Sequence, residues 1–82
     1  MMMFIRRIDI EGEFEMLWLE IRDKELLPFD ILDSVPRLLS EKTKKKLIKK
    51  TPEEVAGAIK TTIDKINAGS KETIDTLIRK MK

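Results

Sequence analysis

Cysteine, histidine and tyrosine are all missing from the 82 residues, and each absence removes a class of chemistry. Without a thiol there is no disulfide framework, no thiolate nucleophile and no sulfur-ligated zinc or iron–sulfur centre. Without an imidazole the usual proton shuttle at neutral pH is gone, together with every Ser-His or Cys-His pair. Gly12, Gly57 and Gly69 lie too far apart to form a phosphate-cradling loop, so neither a P-loop nor a dinucleotide fingerprint is present. Aromatic side chains amount to Phe4, Phe14, Phe29 and Trp18, which leaves Ile, Leu, Val and Met to build the core. No apolar run approaches the ~20 residues that span a bilayer. The opening Met-Met-Met-Phe-Ile-Arg-Arg places its charges after a short apolar run, the reverse of a secretory signal. A cytoplasmic protein with no membrane association is therefore expected.

Catalysis would have to rest on carboxylates, lysines or a metal. The nearest acidic groupings are Glu11, Glu13 and Glu15, then Asp30 with Asp33, then Glu53 with Glu54. Each has a simpler account: a solvated turn, local caps, and favourable charges at a helix N-terminus. No enzyme activity, cofactor, metal or small-molecule substrate is expected.

The length suits one compact domain spanning 1–82, whose small core self-association could supplement. A net charge of +2 hides a division: residues 1–35 hold nine acidic against four basic side chains, residues 36–82 six against thirteen. An acidic first half thus precedes a basic second half.

Residues 4–10 and 14–22 read as two strands around Gly12, a β-hairpin over 1–22. With Gly12 and Glu13 as the loop, Phe4, Ile8, Ile10, Leu17, Leu19 and Ile21 share one face. Ile5, Arg7, Asp9, Phe14, Met16, Trp18 and Glu20 share the other, where the Arg7 guanidinium faces the Trp18 indole. Pro28 interrupts the apolar run after it, so 23–33 reads as a crossover loop. The helical part covers 34–82. Ser34 is a candidate N-cap for a first helix carrying Pro36 and reaching Lys50, with a break near Ser40 where its apolar stripe thins. Thr51-Pro52-Glu53-Glu54 is a capping-box start, followed by Val55, Ile59, Ile63 and Ile66 at helical spacing. Gly69 stops that helix and Ser70 caps a last one bearing Ile74, Leu77, Ile78 and Met81. Gly57 inside the middle helix suggests close packing against another backbone. The expected fold is α+β, an N-terminal β-hairpin packed on two to three C-terminal α-helices, with dimerisation through a free strand edge as one way to complete it.

Three surfaces follow. Phe14, Met16 and Trp18, with Arg7, form a candidate protein interface on the outer hairpin face, although a covering helix would make the same residues core. Residues 42–50 hold six lysines, of which Lys42, Lys45, Lys46, Lys49 and Lys50 are candidate nucleic-acid contacts if the run is more than a solvated face. The two last helices resemble a helix-turn-helix in outline, with Lys71, Thr73, Thr76, Arg79 and Lys80 facing DNA, and an ordinary helix hairpin fits them equally. The function expected first is a non-catalytic interaction or regulatory module that self-associates or binds a protein through the hairpin. Nucleic-acid binding through the lysines is the alternative.

Overall fold

A computed structural model of the chain describes residues 9–81, and among them there are five helices and no strand. They are α1 (Ile10–Asp23), α2 (Phe29–Leu38), α3 (Glu41–Leu47), α4 (Pro52–Asn67) and α5 (Ile74–Lys80). The expected α+β fold is thereby corrected to an all-helical one. The second strand of the hairpin is the body of α1, and most of the first lies outside the described residues.

Helical periodicity decides α1. Ile10, Phe14, Leu17, Trp18 and Ile21 recur on one helical face, with Phe14 and Ile21 buried and the other three half-buried. Leu19, which the alternating pattern placed beside Leu17 and Ile21, is exposed on the far side. Gly12 serves the helix start rather than a turn: its N–H donates to the Asp9 carboxylate at 3.0 Å, and a Cβ there would run into that carboxylate. Among the described residues there is then no free strand edge to recruit a second copy.

α1 stops through a pair of reverse hydrogen bonds, Glu25 N–H to the Arg22 carbonyl and Leu26 N–H to the Ile21 carbonyl. This geometry places Glu25 at a positive φ of 53°, a position normally taken by glycine. α4 ends the same way, with Gly69 at φ 109°.

The expected crossover at 23–33 is half helical, because α2 opens at Phe29 behind Pro28 and not behind Ser34. Ser34 lies inside α2, where its hydroxyl donates back to the Asp30 carbonyl at 2.8 Å. Pro36, also inside α2, has no N–H for the Leu32 carbonyl four residues earlier. The Trp18 indole N–H donates to that carbonyl instead, at 2.8 Å.

The break near Ser40 is present, with Leu39 extended and Ser40 capping α3. The capping box at Thr51 and Glu54 and the first-turn Pro52 are as expected. α5 is capped by Thr73 rather than Ser70, whose hydroxyl accepts from Glu72 N–H within the preceding loop. Gly57 packs against nothing, since a Cβ built there meets no atom within 4 Å.

The core gathers Phe14, Ile21, Leu27, Val35, Leu39, Leu47, Val55, Ala56, Ile59 and Ile78 from all five helices, the α1–α2 loop and the link between α2 and α3. Burying each large side chain among them contributes roughly 1.5–3 kcal/mol. α1 packs against α3 and α4, while α5 packs along α4, α3 and α2. No helix among the described residues is long and apolar enough to cross a membrane.

Candidate interaction surfaces

The residues assigned to the outer hairpin face are separated by the helix. Phe14 is 3% exposed and belongs to the core. Trp18, one turn on, stacks on it with ring centroids 5.4 Å apart and planes inclined at 21°, and its indole is fixed by the Leu32 carbonyl. Met16 is 71% exposed on the opposite side of α1. Arg7 lies outside the described residues. The cation over an aromatic ring in this region is Lys44, whose Nζ stands 5.2 Å from the Phe14 centroid and 3.0 Å from Glu11 Oε1.

An apolar corner where α1 meets α2 gives little outward sign in the sequence. Phe29 opens α2 and is 75% exposed, because a residue at the first helical position can point away from the bundle. Beside it, Leu26, Pro28 and Leu32 line a groove of about 610 Å³ together with Arg22, Glu25 and Lys60. A smaller depression joins Phe29 to Trp18 and Leu32. The side chains of Arg22 and Lys60 make no ion pair or hydrogen bond among the described residues, and Glu25 holds its left-handed backbone at the rim. Left-handed conformations at non-glycine residues cost of order 1 kcal/mol and concentrate at functional sites. Next to this corner runs the outer face of α1, where Met16 and Leu19 are exposed among Glu13, Glu15, Glu20 and Asp23. Of the four large hydrophobic side chains most exposed among the described residues, only Leu38 lies away from this region.

The lysine run is divided by α3 into separate tasks. Thr43 and Leu47 are fully buried and define the inward side. Lys44 turns to α1, as described. Lys46 turns to α5, donating to the carbonyls of Ile78 at 3.1 Å and Arg79 at 2.9 Å, where a helix C-terminus leaves acceptors without partners. Lys42, Lys45 and Lys49 face outward with no partner among the described residues, and Lys50 is engaged. Sequence alone could not divide the run, because the sorting depends on which helices flank α3.

The helix-turn-helix outline dissolves at α5. That helix is seven residues long, Leu77 and Ile78 are buried, and Thr73 with Thr76 is occupied in the cap. Arg79 pairs with Asp75 at 3.4 Å and Lys80 with Glu72 at 2.7 Å. Asp75 is the best-held carboxylate described. Partial burial pushes its pKa up, but the Ser40 backbone N–H at 2.7 Å, the Thr43 and Ser40 hydroxyls and Arg79 outweigh that and hold it below the ordinary range. Glu53 is lowered chiefly by its hydrogen bond from Lys24 at 3.0 Å, which ties the end of α1 to the start of α4, and Glu54 by the Thr51 backbone N–H. Among the described residues no three His, Cys, Asp or Glu side chains converge as a metal site would require. A groove of about 290 Å³ also lies between α3, α4 and α5, floored by Gly57, Ala58 and Thr61. Compared with known families, curated proteins and solved structures, the chain matches none of them.

Proposed function

We propose that this chain is a small non-catalytic interaction module that pairs with a second copy of itself through the outer face of α1 and the α1–α2 corner. The observation that carries the reading is the exposure of Met16, Leu19 and Phe29, by 71%, 47% and 75%: Met16 and Leu19 lead along α1 in steps of three residues to Arg22, which lines the corner beside Phe29. Large aromatic and aliphatic side chains left in water are the usual anchors of protein interfaces.

Charge points to a second copy as the partner. The corner offers an apolar floor with Arg22 and Lys60 unpaired among the described residues, and the α1 face offers apolar side chains flanked by Glu13, Glu15, Glu20 and Asp23. Each surface is complementary to the other, and because they adjoin on one molecule, a two-fold arrangement can satisfy both at once. Apolar contact would supply the affinity and the carboxylate–cation pairs the orientation.

Sedimentation equilibrium of the wild type and of Phe29→Glu and Leu19→Glu tests the reading. Both side chains are exposed, so the variants should keep the helical circular dichroism of the wild type. A dimer whose dissociation constant rises at least tenfold in each variant is expected. A wild type that stays monomeric at ~1 mM, or a dimer indifferent to both substitutions, refutes self-pairing through this surface.

A further inference from the structure

We infer that the outward stripe formed by Lys42 and Lys45 of α3 and Lys49 in the turn just beyond it is a contact surface for the phosphate backbone of duplex nucleic acid, independent of sequence. The stripe is what remains once the structural lysines are removed. Lys44 and Lys46 are bound to α1 and α5, whereas Lys42 and Lys45 lie on the side of α3 away from the buried Thr43 and Leu47, and Lys49 is exposed in the turn that follows. Lys42 and Lys45, three residues apart, are neighbours on the helix surface at roughly 5–6 Å, and Lys49 follows just past the helix end.

Stability of the isolated chain does not account for Lys42. It is a like charge three residues from Lys45 on the same helix, and it stands in the first turn of α3, where the helix dipole opposes a cation. Glu41 is the only acidic residue of α3, and it makes no ion pair with Lys45. A row of anions outside the molecule would relieve both costs, and a phosphate backbone is such a row.

The chemistry of the stripe selects the kind of nucleic acid. Its cations are all lysine, point charges that suit phosphates and lack the planar fork that reads guanine edges. Among the described residues no aromatic ring stands with them to stack unpaired bases: Phe14 is buried, Trp18 is hydrogen-bonded beneath α2, and Phe29 belongs to the α1–α2 corner. A duplex, presenting phosphates and hiding base faces, is therefore the better match than a single strand.

The test is fluorescence anisotropy of a labelled duplex of arbitrary sequence, titrated with the full chain at several salt concentrations. The wild type is compared with Lys42→Gln/Lys45→Gln/Lys49→Gln and, as a control, Lys65→Gln/Lys71→Gln/Lys82→Gln, which removes equal charge elsewhere. Three phosphate contacts predict a slope of log K against log salt near −2.7, an affinity loss of about 40-fold between 50 and 200 mM salt. The stripe variant should lose most of that slope, and the control should keep it. Because none of the stripe side chains has a partner among the described residues, circular dichroism and melting of the variant should match the wild type. Equal losses in both variants would reduce the effect to net charge and overturn the inference. So would absence of wild-type binding at low salt, or stripe-dependent binding to anionic lipid vesicles without binding to duplex.

Discussion

Trp18, Leu32 and Pro36 are expected to behave as one unit. Pro36 deprives the Leu32 carbonyl of its helical donor, and the Trp18 indole supplies a replacement at 2.8 Å from a different helix. Trp18→Phe retains a ring to stack on Phe14 but leaves the part-buried carbonyl without that donor. The lost hydrogen bond is worth about 1 kcal/mol, and an unsatisfied acceptor costs about 1–3 kcal/mol. Pro36→Ala restores an N–H four residues after Leu32, so the carbonyl no longer depends on the indole. In that background Trp18→Phe should cost less by about 1 kcal/mol, the remainder being the smaller ring. For a chain of this size such a coupling corresponds to a melting difference of about 4–8 °C.

The four proteins of the cycle should be unfolded in urea and followed by circular dichroism at 222 nm, because Trp18→Phe removes the chain's one indole. The cycle cancels the change in ring size and the higher helix propensity of alanine, leaving the term that links the two sites. Strictly additive effects, within about 0.3–0.5 kcal/mol, would mean that the indole and the missing proline donor are unrelated.

Two further outcomes follow from local geometry. Glu25→Gly should stabilise the fold by roughly 0.5–1 kcal/mol, since relief of about 1–2 kcal/mol at a left-handed position exceeds the entropy of a freer unfolded chain, whereas Gly69→Ala should destabilise it. Urea midpoints of the two variants shifting in the same direction would contradict this account. Asp75, held below its ordinary pKa by the Ser40 and Thr43 donors, stabilises the fold above the unfolded carboxylate pKa, and that share is lost as pH falls through the lower folded value. Asp75→Asn should therefore lower stability at neutral pH and flatten its acid dependence; an unchanged slope of stability against pH would refute the role.

The helix start at Thr51 was legible from the residues, because Thr51-Pro52-Glu53-Glu54 needs only its own side chains to close a capping box, and the thinning apolar stripe marked the break near Ser40. Ser34 and Ser70 look like equally good local caps, yet α2 opens at Phe29 and α5 is capped by Thr73. Residues 14–22 were not legible, because Leu17, Leu19 and Ile21 fit a period of two while Phe14, Leu17, Trp18 and Ile21 fit a helix. What separates the readings is tertiary. As a helix, α1 buries Phe14 and Ile21 in one core with α3 and α4 and needs no cross-strand partner, while a lone hairpin would be marginal in water. Its Trp18 also meets a carbonyl freed by a proline eighteen residues later. The candidate surfaces follow the same rule. Once α1 is a helix, Phe14 and Trp18 turn inward and Met16 outward, and the apolar residues left exposed move to Leu19 and Phe29. Once α1 engages Lys44 and α5 engages Lys46, six lysines cease to be one patch; with Lys50 also engaged, Lys42, Lys45 and Lys49 remain.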